Sequence, residues 1–123
     1  YCGYNDLVAN GASAEEVFFF TMGLFEKMHR KCTDVDIIYL SFTPSPTAME
    51  HEAEWRKLNE YIIDYAADKD WLHFIDSYEL YTDENGQIRA DFFAPDGIHA
   101  SKLAYYGWGD AVVEALKEYV IGQ

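Results

Sequence analysis

The segment "FFAPDGIHAS" (Phe92–Ser101) places an aspartate three residues ahead of a histidine, on a turn marked by Pro95 and Gly97. A carboxylate hydrogen-bonded to one imidazole nitrogen fixes the ring's tautomer. It also stabilises the imidazolium that forms when the other nitrogen takes a proton. Asp96 and His99 could therefore form a base that activates a nucleophile. The same spacing also fits an aspartate that only satisfies turn amides beside a histidine near a helix start, and turn aspartates are common. A second polar cluster is "GYND" (Gly3–Asp6). The Asn5 amide there could donate hydrogen bonds to a developing oxyanion, although Asn and Asp after glycine are also ordinary turn formers.

The elements that must position these groups can be read from periodicity. Ser13 and Glu16 make a Ser-x-x-Glu capping box, and Val17, Phe20, Leu24, Phe25 and Met28 follow with helical spacing, predicting a helix from Ser13 to about Arg30. Core packing under a sheet is the expectation for the "VFFF" run, Val17–Phe20. "VDIIYLSF" (Val35–Phe42) and "WLHFIDS" (Trp71–Ser77) are apolar runs rich in β-branched and aromatic residues, predicting two buried strands. Between them "TPSPT" must be a loop, and Glu50–Asp68 reads as a helix with Trp55, Leu58, Ile62, Ile63 and Tyr65 on its packing side. Asn85-Gly86 marks a tight turn, and the calcium-loop ligand pattern is missing around it. A last helix is predicted from Ser101, its N-cap, to about Val120.

The chain opens on "YCGYND", without Met, which reads as the end of a strand (Tyr1–Gly3) running into a loop. The order is thus strand stub, helix, strand, helix, strand, turn, helix. Such alternation implies right-handed crossovers and a parallel sheet with helices on both faces, in one domain over residues 1–123. Ligand sites in such sheets lie beyond the carboxyl ends of the strands. That places Gly3–Asn10, Thr43–Met49 and Ser77–His99 on one rim.

Composition narrows the function. A formal net charge of −13 argues against binding a phosphate backbone or an anionic membrane surface. Cys2 and Cys32 form neither a Cys-x-x-Cys pair nor a zinc ligand set, and no apolar run reaches transmembrane length. His51-Glu52 begins like a zinc-peptidase motif, but Trp55 occupies the second histidine position. His29 and His73 have no ligand-spaced companions and read as surface or strand residues. Cellular location is not legible, because the true N-terminus is expected upstream.

Taken together and in this order, Gly3-x-Asn5-Asp6 after a strand and Asp96-x-x-His99 before the last helix resemble the SGNH hydrolase (GDSL esterase/lipase) family. "VDIIYLSFTPSP" is similar to the family's fourth strand and following loop, and Asn59 fits a recurrent asparagine. "HFIDS" matches a fifth strand ending in Asp76, and Tyr105 and Trp108 take aromatic positions of the final helix. The resemblance implies a flavodoxin-like three-layer α/β/α sandwich with a parallel sheet, represented from the end of strand three onward. It further implies acyl-ester hydrolysis, lipase or esterase in kind, through a serine nucleophile. Asn5 would be the oxyanion donor, His99 the base and Asp96 its orienting group, with a small-molecule acyl ester as substrate and no metal or organic cofactor. Ala104 departs from a frequent Gly, and Thr47-Ala48 replace an Arg found in some relatives.

The larger departure is the missing nucleophile. Ser13, Ser41, Ser45, Ser77 and Ser101 are the serines, and none sits in Gly-Asp-Ser or Gly-x-Ser-x-Gly. The chain is therefore expected to be the C-terminal part of one such domain, inactive by itself. With the family's sheet order 2-1-3-4-5 and only the stub Tyr1–Gly3 left of strand three, Val35–Phe42 would lack most of its pairing on one side. Pairing with its own N-terminal fragment, or self-association, is then expected. The alternative is a non-catalytic α/β module that binds a ligand or partner and uses Asn5, Asp96 and His99 only structurally.

Overall fold

A computed structural model describes residues 1–121, so Gly122 and Gln123 of the expected domain lie outside the described residues. The elements in chain order are α1 (Tyr4–Val8), α2 (Ala14–Lys31), β1 (Ile37–Leu40), α3 (Glu52–Ala66), β2 (Leu72–Ile75) and α4 (Lys102–Leu116). Short 3₁₀ turns occupy Met49–His51, Glu79–Tyr81 and Ala90–Phe92, and a π-helical segment, Lys117–Ile121, continues α4. No helix among the described residues is long and apolar enough to cross a membrane.

The capping box forms as expected at α2. Glu16 N–H donates to Ser13 Oγ at 3.3 Å, and Ser13 N–H donates back to the Glu16 carboxylate at 2.9 Å, which satisfies two otherwise orphaned donors. Glu15 and Glu16 in the first turn and His29, Arg30 and Lys31 in the last turn complement the helix dipole. Val17, Thr21 and Phe25, spaced four apart, are buried on one face of α2. Trp55, Leu58 and Ile62 are buried on α3. These two faces close over Ile37, Tyr39 and Leu72 of the strands, and Phe25 meets Tyr39 edge-on at 5.5 Å. Full burial of each such large apolar side chain contributes about 1.5–3 kcal/mol.

β1 and β2 pair in parallel, with Ile37 opposite Leu72 and Leu40 opposite Ile75. Parallel neighbours require a crossover, and α3 supplies it. Successive strand residues face opposite sides, so His73 points away from the Leu72 and Phe74 core. There it stacks on Tyr119 at 4.5 Å, which lays the continuation of α4 across the second face. His73 also pairs with Asp36 at 2.8 Å. A smaller cluster of Tyr81, Phe92 and Ala104, with Trp108 against it, seats α4 on the long loop after β2. This is the α/β arrangement expected from the alternation of elements, here with a two-stranded sheet.

Several local expectations are corrected. Tyr1–Gly3 form no strand, and Gly3 instead takes φ +99° as the residue that starts α1. Asn5 therefore sits in a short helix rather than at a strand end. Both strands are shorter than the apolar runs that contain them, because β1 is laddered to β2 alone. Just beyond β1, Ser41 N–H still donates to Ile75 C=O at 2.9 Å, and side chains then take over the backbone groups. Asn59 accepts from Phe42 N–H at 2.9 Å and donates to its carbonyl at 3.2 Å, and Ser41 Oγ accepts from Ser77 N–H at 2.8 Å. Ile63 is exposed on α3. Phe19 and Phe20 are 64% and 73% exposed, so only half of "VFFF" packs inward. The core-facing α2 row is 17, 21, 25, which leaves Phe20, Leu24 and Met28 on an uncovered neighbouring stripe.

Candidate active site

The turn that carries Asp96 and His99 is built from its sequence outward. Pro95 presets the first central residue of a β-turn closed by Gly97 N–H donating to Ala94 C=O at 2.9 Å. Ala94 N–H donates to His99 C=O and Ser101 N–H to Phe92 C=O, both at 2.8 Å, so the segment folds back on itself as a closed loop. Gly97 has φ +68°, where a side chain is strained, and an added Cβ would lie 2.8 Å from Thr47 Cγ2. The proline loop clamps this turn: Ser45 Oγ donates to Gly97 C=O at 2.9 Å and Thr47 Oγ1 at 3.2 Å. Ser101 caps α4 through Ala104 N–H and donates its hydroxyl to Asp91 C=O at 2.7 Å.

Within this frame Asp96 makes two sets of contacts. Oδ1 accepts the N–H of Ile98 at 2.9 Å and of His99 at 3.0 Å, the turn-forming role of an aspartate. Oδ2 lies 2.7 Å from His99 Nδ1. The His99 hydrogen bond, followed by the two backbone N–H groups, lowers the Asp96 pKa from 3.8 to about 2. An ionised carboxylate can only accept, so Nδ1 carries the proton and Nε2 of the neutral ring is the basic nitrogen. Nε2 makes no hydrogen bond among the described residues, and the ring is exposed.

Asn5 and His99 line the same cleft, of about 450 Å³, to which all three expected rim loops contribute. The structure thus brings together His99, Asp96 and the face of α1 that bears Asn5. The Asn5 side-chain amide hydrogen-bonds none of the described residues. Aromatic walls that motif reading did not single out come from Tyr1, Tyr4 and Tyr81, joined by Tyr105 and Trp108. Burial raises the Tyr81 hydroxyl pKa above its ordinary value. No group of three or more His, Cys, Asp or Glu side chains suited to a metal occurs among the described residues. Cys2 and Cys32 are free thiols.

Every serine hydroxyl is committed elsewhere. Ser13 bonds Glu16, Ser41 contacts Asp76 and Ser77, Ser77 donates to Ser41 C=O, and Ser45 and Ser101 hold the carbonyls named above. None of them hydrogen-bonds His99 among the described residues. The structure therefore pairs the His99 ring with the Asp96 carboxylate at an open cleft, and no serine among the described residues hydrogen-bonds that ring.

No protein-family profile matches the chain, and no curated protein matches it by sequence. Its fold is similar to solved structures. The esterase domain of the ORF1 protein from the zebrafish ZfL2-1 retrotransposon is 23% identical with a TM-score of 0.72, over 96% of this chain and 66% of that one. A candidate platelet activating factor from Streptococcus pneumonia is 21% identical with a TM-score of 0.73, over 95% and 56%. A candidate acylhydrolase from Bacteroides fragilis NCTC 9343 is 17% identical with a TM-score of 0.76, over 95% and 59%. The chain thus spans between 56% and 66% of these neighbours' lengths. At such identities the likeness is one of fold, and the fold is SGNH hydrolase-like, a partial α/β sandwich shared with esterase and acylhydrolase domains.

Proposed function

We propose that residues 1–123 are the C-terminal part of an SGNH-type acyl-ester hydrolase domain whose serine nucleophile precedes Tyr1. The observation that carries this reading is the 2.7 Å Asp96–His99 hydrogen bond, with Nε2 unengaged at a cleft shared with Asn5. In the reaction, Nε2 takes the serine proton as the hydroxyl oxygen attacks the ester carbonyl, and Asp96 stabilises the resulting imidazolium. The Asn5 amide donates to the oxyanion of the tetrahedral intermediate. The imidazolium then protonates the departing alkoxide, and a water activated by the same nitrogen releases the acid. The committed state of all five serines supports a nucleophile from outside this chain.

The apolar surface supports the same reading. Phe20, Leu24, Met28 and Val35 are exposed along α2 and the approach to β1, and the last three line an apolar hollow of about 350 Å³ that shares no lining residue with the His99 cleft. A row of this kind beside a strand laddered on one edge fits cover by the preceding part of the domain, or self-association.

The test is hydrolysis of an aryl ester by the full-length protein and by its His99→Ala variant. Turnover by the first, lowered about 10⁴-fold or more in the second, is the expected result for loss of a triad base. Chain 1–123 alone should not exceed free imidazole. Equal turnover by both full-length proteins removes His99 from the mechanism, and no turnover by either overturns the hydrolase reading and favours a binding module.

A further inference from the structure

The side of the cleft built by this chain is aromatic. Among the described residues five rings, Tyr1, Tyr4, Tyr81, Tyr105 and Trp108, line it, and no Lys or Arg does. The cation nearest in sequence to His99, Lys102, lies over the Tyr106 ring at 5.7 Å, and Arg89 is paired with Asp91 at 2.9 Å. The ionised group beside the base is the Asp96 carboxylate, on a chain of net charge −13. An anionic substrate brought here would lose water, gain no counter-charge and meet a like charge next to the reacting carbonyl. An uncharged one loses little and covers ring surface. Tyr105 offers that surface: it lines the cleft, is 59% exposed and packs T-shaped against Trp108 at 5.7 Å.

We propose that the substrate is an uncharged ester whose apolar portion lies along Tyr105 and Trp108, and that the site discriminates against esters bearing a carboxylate or phosphate. This rests on the hydrolase reading above and specifies its substrate class. The charge pattern does the excluding, while Tyr105 sets affinity through contact.

The experiment compares para-nitrophenyl valerate with para-nitrophenyl hemiglutarate, which matches it in length and adds a terminal carboxylate, using the full-length protein and its His99→Ala variant. We expect kcat/KM to favour the neutral ester by about tenfold or more, within the range a pocket imposes by such differences. Val8→Lys, which puts a cation in the wall, should shift the ratio toward the hemiglutarate by about tenfold. Tyr105→Ala should raise KM for the valerate by roughly fivefold, and Tyr105→Phe should retain it. Equal kcat/KM for the two esters, with both rates lost in His99→Ala, overturns this inference and leaves the hydrolase reading standing. Absence of any His99-dependent turnover overturns the hydrolase reading and the inference with it.

Discussion

One carboxylate, Asp96, holds both the backbone and the ring of His99: Oδ1 accepts the His99 N–H at 3.0 Å while Oδ2 meets Nδ1 at 2.7 Å. The turn aspartate and the orienting aspartate, alternatives on sequence spacing, are the same group seen from two oxygens. Position and tautomer of the imidazole are therefore set together.

That double role separates two substitutions. Asp96→Asn keeps an oxygen for the turn amides but cannot hold Nδ1 as a donor in the same way. On the proposed hydrolase reading we expect it to lower kcat of the full-length protein by about 10⁴-fold with the fold intact, as wrong-tautomer variants do. Asp96→Ala should lose activity and also melt earlier. Steady-state kinetics beside circular dichroism melts distinguish the two.

The pH dependence follows from the sign of the Asp96 shift. Its pKa falls from 3.8 to about 2 in the fold, so its contribution to stability is complete above about 3.8 and is lost as pH falls through about 2. The Asp96 carboxyl carbon, followed by NMR, should stay ionised at pH 3. Titration near pH 4 would contradict the hydrogen-bond arrangement.

Gly97→Ala should be costly although the residue is in a loop. A side chain at φ +68° is strained, and its Cβ would press on the Thr47 methyl that helps clamp the turn. We expect a loss of roughly 1–3 kcal/mol, read as a lower denaturant midpoint at unchanged slope.

Asn59→Ala removes both partners of the Phe42 backbone, in a buried setting. Two unsatisfied backbone groups should cost on the order of 1–3 kcal/mol each, unless water reaches them. Hydrogen exchange at Phe42 N–H should accelerate with the loss, and a protected amide in the variant would contradict it.

Asn5→Ala tests the oxyanion role apart from the base. Loss of one donor is expected to lower kcat by about 10²–10³-fold, with KM changed far less. An unchanged kcat would remove Asn5 from the site.

How much of this was legible depended on how local the signal is. The capping box of Ser13 and Glu16, the turn at Asp96-Gly97 and the Ser101 cap are set by neighbours in sequence, and they form as read. The strands were overextended because an apolar run reports burial, whereas a ladder needs a partner at each residue, and Phe42 bonds the Asn59 side chain instead. Phe19 and Phe20 were read as core because helical spacing shows a stripe but not which part of it is covered. The Ser45 and Thr47 clamp on Gly97 joins residues some fifty apart, a relation with no local trace.

We propose that His99 serves a serine contributed from before Tyr1, and a serine-directed phosphonate reads this out at the residue level. The full-length protein would be inactivated with the reagent, digested, and the adduct located by peptide mass spectrometry. We expect a single adduct on a serine N-terminal to Tyr1, absent when His99 is replaced by alanine. An adduct on Ser13, Ser41, Ser45, Ser77 or Ser101, or activity untouched by the reagent, would contradict it.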